Sequence, residues 1–242
     1  MSYLKYFKTG QKILLAAPPG DGAISRTETL TTYLQEMGKG HFDLLLPYGG
    51  HEEESYPFAA EMPLSLTSEA FGLGLKLSCH FSGHRDKDVI RVQLGDDLQV
   101  FQRRGSPRVD LQAGVRYTKG RGTLRTFRDQ WEKNIRILHS GGDLSKLGTF
   151  PRRAINLGSG GVRFDLKAPV EVADLCLVLI DYGQSPPICS LAEVVWTKPT
   201  ESPERFSTGM RFVSLLDADL KRLENLIREQ QKNPLAKEEL EV

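Results

Sequence analysis

The sequence has no apolar run long enough to cross a bilayer. The longest, Leu175–Ile180, is six residues, where a spanning helix needs about 20. The first residues, Met-Ser-Tyr-Leu-Lys-Tyr-Phe-Lys, lack the apolar core of a signal peptide. Cysteine is scarce: Cys79, Cys176 and Cys189 are odd in number, widely spaced and outside any Cys-x-x-Cys arrangement. That pattern fits reduced, mostly buried thiols rather than a disulfide framework. A cytoplasmic protein without membrane insertion is expected. Charge of one sign is also missing, since the net charge is only +1. No global polycation exists, so any anion recognition must be local.

Catalytic signatures are absent as well. There is no Gly-x-Ser-x-Gly, no Walker loop and no His-Glu-x-x-His. Gly72-x-Gly74 lacks the third glycine of a dinucleotide fingerprint and lies within a strand pattern. Cys79, His80 and His84 invite a metal reading, but adjacent residues on a strand face opposite sides. Glu52-Glu53-Glu54 reads as a solvated loop. No enzyme, metal site or cofactor is expected.

Against this balanced background one stretch stands out. Gln102–Arg108 reads Gln-Arg-Arg-Gly-Ser-Pro-Arg, three guanidinium groups within six residues. Gly105 and Pro107 argue for a loop or strand entry. The nearest acids are Asp97 and Asp110. Such a cluster is suited to receive an anion; the bland alternative is a solvated basic linker.

With 39% hydrophobic and 26% charged residues, 242 residues suffice for two ordinary domains. Residues 1–98 read as β-rich, with an apolar run at Ile13–Ala17 that ends in the turn Pro18–Gly22. Strands follow at Phe42–Leu46, Leu64–Thr67, Leu73–His80 and Val89–Leu94, the last after a turn at Ser82–Asp88. Leu73, Leu75, Leu77 and Cys79 alternate with small or polar residues, the mark of a half-buried strand. Short strands at this spacing predict a small barrel. Thr29–Met37 reads as one or two helical turns. The domain boundary is placed near residue 98, which makes the arginine cluster a hinge.

The second half, 99–232, starts with a strand at Arg108–Tyr117. In Thr123–His139, Leu124, Phe127, Trp131, Ile135 and Leu138 recur every three or four residues. This predicts an amphipathic helix of about four turns, flanked by the glycines of Lys119–Gly122 and Gly141-Gly142, inside an insertion of about 119–150. It serves either to cap an open barrel end or to offer a face to a partner. Strands resume at Arg153–Leu157, Val162–Leu166, Leu175–Asp181, Leu191–Thr197 and Gly209–Ser214. A closing helix is capped by Asp217 and striped by Leu220, Leu223, Leu226 and Ile227. Residues 233–242 read as a disordered acidic tail.

The other informative stretch is Ala154-Ile155-Asn156-Leu157-Gly158-Ser159-Gly160-Gly161-Val162. A strand ends at Asn156 and a new one begins at Val162. Three glycines in four residues allow either close backbone approach to a ligand or positive φ in a bulged hairpin.

Arg104-x-x-x-Arg108, followed by Asn156-x-x-x-x-Gly161 between strands, resembles the PilZ domain, a bacterial receptor module for cyclic di-GMP. Gly209-Met210-Arg211-Phe212 and the final helix are similar to the late part of that domain. The β-rich first half resembles the N-terminal domain of flagellar-brake-type PilZ proteins. The resemblance implies a mainly β fold of two small barrels, a split-barrel-like N-terminal domain and a six-stranded PilZ barrel, with an inserted amphipathic helix and a C-terminal helix. It implies a binding set of Arg103, Arg104, Arg108, Asn156, Gly158, Ser159, Gly160 and Gly161.

In that reading Arg104 and Arg108 take phosphate and guanine, which suits guanidinium chemistry. Asn156 bonds a guanine edge and the glycines admit the backbone. Arg103 stacks on a second, intercalated ligand molecule. Two features depart from the family: Gly158 holds the place of the serine, with Ser159 one position late. The gap of 47 residues between Arg108 and Asn156 is also long. Losing one hydroxyl bond amounts to about 1 kcal/mol.

The implied mechanism is a hinge, loose over 98–108, that ligand orders, fixing the domains in a new relation read by a protein partner. The alternative is a PilZ-like adaptor that has lost nucleotide binding and acts through protein contacts. A nucleic-acid polymer is not an expected partner, given the near-zero net charge.

Overall fold

The protein is described here from a computed structural model covering residues 2–17, 25–48, 56–102, 107–120, 122–140, 144–183, 186–202 and 204–232. Outside the described residues lie the turn Pro18–Gly22, Glu52-Glu53-Glu54, Arg103, Arg104, Gly141-Gly142 and the tail after Lys232. The fold is mainly β, with two α-helices among the described residues. The chain divides into two compact units. One comprises Met1–Ala23, Thr27–Gly105 and Thr123–Arg125, and the other Ile24–Arg26, Ser106–Gly122 and Thr126–Val242.

The first unit contains β1 (Lys12–Ala17), β2 (Arg26–Met37), β3 (His41–Leu45), β4 (Pro63–Ala70), β5 (Leu73–Asp86) and β6 (Val89–Leu94). Neighbours run β1-β4-β5-β6-β3-β2, and β2 pairs back onto β1, closing a six-stranded antiparallel barrel. Alternation drives it: Ile13, Leu15 and Ala17 of β1 are buried between half-exposed neighbours. On β5, Leu75, Leu77 and Cys79 face inward, while Leu73 is exposed at the strand's start.

Thr29–Met37, expected as helical turns, lies in a strand. Glu28, Leu30, Thr32 and Leu34 are buried on a period of two. The threonines and Tyr33 suit that pleated surface better than a helix. The turn expected at Ser82–Asp88 is shorter than read, because β5 continues to Asp86 through two register shifts. Asp43 and Arg91, partners across β3 and β6, form a double hydrogen bond at 2.7 Å for both contacts. That bond holds the Asp43 carboxyl below the usual carboxylate range.

A seventh strand, β7 (Gln99–Gln102), adds to β5 at Leu73–Lys76. The Phe101 ring lies over Gly74, where a Cβ would meet it at 2.5 Å. Residues 99–102 therefore belong to a ladder rather than to a loose hinge, and only 103–107 separate β7 from the next strand.

The second unit is built from β8 (Arg108–Lys119), α1 (Leu124–His139), β9 (Arg152–Gly158), β10 (Gly161–Leu166), β11 (Leu175–Asp181), β12 (Ile188–Pro199), β13 (Phe206–Leu216) and α2 (Asp217–Lys232). Its order is β13-β10-β9-β8-β11-β12, and β12 pairs back onto β13, so this barrel is closed too. Val115, Ile155, Leu157, Val162, Phe164, Val178, Ile180 and Met210 fill the interior.

Helix α1 carries all five predicted apolar residues in buried positions. Trp131, fully buried, donates its indole N–H to the Cys189 carbonyl of β12 at 3.0 Å. Helix α2 opens with Asp217 and Asp219 in its first turn, the sign that suits a helix N-terminus. Its Leu223 and Ile227 are buried, and Leu220 and Leu226 pack against the core. The three cysteines are buried and unpaired. Desolvation pushes each thiol up to about 12, so all stay protonated near neutral pH.

Candidate functional site

The site follows from the register of four adjacent strands. Arg108 of β8 stands opposite Gly158 of β9, and Asp110 opposite Asn156. Gly158 pairs with Gly161 of β10, and Asn156 with Arg163. Gly161 in turn pairs with Arg211 of β13, and Arg163 with Gly209. Cross-strand partners and residues two apart share one side of a sheet. Val109, Ile155, Leu157, Val162 and Met210 are buried in the barrel, so the set Arg108, Asp110, Asn156 and Arg163 projects from its outer face.

These residues form two rows. In the lower one the Asn156 Nδ2 donates to Asp110 Oδ1 at 2.9 Å, and Arg163 Nη2 stands 3.5 Å from the same oxygen. Both charged side chains are well exposed, Asp110 at 64% and Arg163 at 48%. Exposed pairs of this kind contribute little to stability. In the upper row two glycines separate Arg108 from Arg211. That leaves a strip of bare backbone between Arg108, which has no ion-pair partner among the described residues, and the anchored guanidinium of Arg211. The anchor is Glu193, whose Oε2 accepts from Arg211 Nη2 at 2.9 Å with side-chain exposures of 1% and 14%.

The three glycines differ in what surrounds them. Strand β9 runs through Gly158, not to Asn156 as read, and Ser159-Gly160 makes the two-residue turn into β10. None of Gly158, Gly160 and Gly161 has positive φ, so left-handed backbone does not explain them. A Cβ on Gly161 would lie 2.2 Å from the Met210 carbonyl oxygen, a clash with fixed backbone. A Cβ on Gly158 would meet Arg108 Cγ at 3.1 Å, a flexible neighbour. Gly160 has nothing within 4 Å.

Besides Arg163, Gly209 and Arg211, two residues beyond the predicted set share this face. Trp196 of β12 is half-buried, and its indole covers Gly209, where a Cβ would stand 2.2 Å from Nε1. Gly209 is the register partner of Arg163, so an aromatic surface lies beside the lower row. Asp110 is the other. In the sequence it serves only as the nearest acid after the arginines, and its partnership with Asn156 spans 46 residues. Of the predicted set, the register brings Arg108, Asn156, Gly158 and Gly161 together, with Ser159 and Gly160 in the adjoining turn. Arg103 and Arg104 lie outside the described residues.

No group of three or more metal-ligating side chains occurs among the described residues. His80 lies 3.2 Å from the Glu61 carboxylate while the neighbouring Cys79 is buried. Among those residues, no helix is long and apolar enough to cross a membrane.

A closed six-stranded antiparallel barrel, entered at an arginine and finished by a helix, is thus the class of domain that carries the site. The PilZ domain family model matches residues 102–229, more than half of the chain, and the protein belongs to that family. No curated protein matches the chain in sequence. Among solved structures it is similar to the Bacillus subtilis inhibitor of motility MotI/DgrA, with 12% identity over 94% of this chain and 99% of that one, at a TM-score of 0.38. It is also similar to YcgR from Escherichia coli, solved in complex with c-di-GMP, with 14% identity over 95% and 88% and a TM-score of 0.38. MrkH of K. pneumonia in its apo state gives 14% identity over 98% and 94% at a TM-score of 0.40.

Proposed function

We propose that the protein is a cyclic di-GMP receptor whose ligand is held on the outer face of the second barrel. The observation that carries this reading is membership of the PilZ family across the arginine stretch and the Asn156–Gly161 hairpin. The strand register supports it by setting Arg108, Asn156 and two glycines side by side. A cyclic dinucleotide presents two phosphates and two guanines. Arg104 and Arg108 bind phosphate oxygens and the guanine Hoogsteen edge. Asn156 bonds a guanine edge, and Gly158, Ser159, Gly160 and Gly161 let the ligand approach backbone N–H groups. Trp196 offers a stacking surface for one base. Arg103 stacks on a second, intercalated ligand molecule.

The readout is conformational. The arginines sit at the point in the chain where one compact unit gives way to the other, between Gly105 and Ser106. Ligand draws this segment onto the barrel, reorients the two domains and alters the surface offered to a downstream protein. The protein acts by binding rather than catalysis.

Calorimetric titration with cyclic di-GMP, beside the Arg104→Ala/Arg108→Ala variant, tests the reading. Micromolar or tighter binding that disappears in the variant supports it, and two ligands per chain support the intercalated dimer. One ligand per chain rejects the dimer. No binding by the native protein overturns the receptor reading in favour of an adaptor, the function that Gly158 in place of the family serine would favour.

A further inference from the structure

We infer that Asp110 is a guanine-selecting residue of this site, working as a pair with Asn156; the inference rests on the receptor reading above. The two side chains are direct cross-strand partners on the outer face of β8 and β9. Asn156 donates its amide nitrogen to Asp110 Oδ1 at 2.9 Å. That bond uses one of the two amide hydrogens of Asn156 and leaves its carbonyl Oδ1 as an acceptor. Asp110 keeps a second oxygen, Oδ2, and its side chain is 64% exposed. Among the described residues neither of these two oxygens has a hydrogen-bond donor. The protein thus presents two adjacent acceptors that span two strands. Arg163, 3.5 Å from Asp110 and opposite Asn156 in register, stands beside the carboxylate on the same face.

Two adjacent acceptors match the Watson–Crick edge of guanine, whose N1–H and N2–H2 are neighbouring donors. They mismatch adenine, which sets an unprotonated N1 against one of them. A hypoxanthine base keeps N1–H but lacks the N2 amino group. A site built around a particular ligand donor discriminates strongly against analogues that lack it, because its own polar groups are then left unpaired. Donor and acceptor chemistry sets this pair apart from the arginines. Guanidinium groups donate to phosphate, N7 and O6, whereas Asp110 Oδ2 and Asn156 Oδ1 accept at the opposite edge.

The test measures the affinity of the full chain for cyclic di-GMP and for its inosine analogue, in the native protein and in Asp110→Asn. Asparagine retains an oxygen for the Asn156 bond and replaces the second acceptor with a donor. Asp110 is exposed, and thermal unfolding checks that the variant folds. The expected result is that the native preference for guanine over hypoxanthine, about 10- to 100-fold for one charge-assisted bond, collapses in Asp110→Asn. If both affinities move together and the ratio is unchanged, Asp110 only positions Asn156 and the inference is overturned. If the native protein binds cyclic di-GMP with no preference over the inosine analogue, the inference is likewise overturned while the receptor reading stands. If the native protein binds neither, both fall.

Discussion

Gly161 stands against the carbonyl of Met210, the two strands approaching so closely that a Cβ would lie 2.2 Å from its oxygen. Glycine is therefore required here by the packing of β10 on β13, independently of any ligand. Gly161→Ala should lower stability by about 1–3 kcal/mol, the range for overpacking a tight site. It should also displace the hairpin that carries Asn156. Gly160→Ala, at a position with nothing within 4 Å, should leave the melting temperature unchanged. Differential scanning calorimetry of the pair checks this.

Gly158 is a different case, because its tight neighbour is the side chain of Arg108 at 3.1 Å rather than backbone. Arg108 can yield by a few tenths of an ångström. Gly158→Ser should fold normally and add a hydroxyl beside Arg108 on the proposed ligand face. A gain of about 1 kcal/mol, or roughly fivefold in affinity for cyclic di-GMP, is expected. Calorimetric titration reads it, and weaker binding would mean that Arg108 cannot make room.

The two tryptophans report on different places. Trp131 is sealed inside the second unit, whereas Trp196 is half-buried beside Arg163 and Gly209. Adding cyclic di-GMP should change the emission of Trp196 alone, and Trp196→Phe should abolish the change. Replacing Trp196 by alanine should weaken binding by about 1–3 kcal/mol, the contribution of one stacked base. An unaltered signal on saturation would remove Trp196 from the site.

Acid stability of the first barrel should depend on Asp43. Its pKa is lowered by the Arg91 hydrogen bonds, so its contribution is complete above the unfolded value of about 3.9. That contribution is lost as pH falls through the lower folded value. Arg91→Leu should raise the Asp43 pKa and move acid unfolding to higher pH, although Arg85 remains 4.0 Å away. At neutral pH the variant should also be less stable, because Asp43, itself buried, loses its double hydrogen bond. Circular dichroism against pH follows it.

The elements whose burial repeats locally were legible in the sequence. Leu124, Phe127, Trp131, Ile135 and Leu138 define α1 by spacing alone, and each is buried. Ile13, Leu15 and Ala17 do the same for β1. Thr29–Met37 was misread because Leu30 and Leu34 are four apart, a spacing that helix and strand both permit, and only the ladder with β1 and β3 decides between them. The arginine stretch and the Asn156 hairpin were visible as composition and order. Their neighbours were not. Asp110 meets Asn156, and Trp196 meets Gly209, only through strand register set by a closed barrel. No local pattern encodes those meetings.

The identity of the ligand and its place on the second barrel are tested together by one measurement. Amide and indole chemical shifts of the full chain are followed by heteronuclear NMR during titration with cyclic di-GMP. Saturable shifts are expected on the outer face of β8, β9 and β10, at Arg108, Asp110, Asn156, Gly158 and Gly161, and at the Trp196 indole. Saturable shifts confined to other surfaces, or no shifts at all, would contradict that expectation.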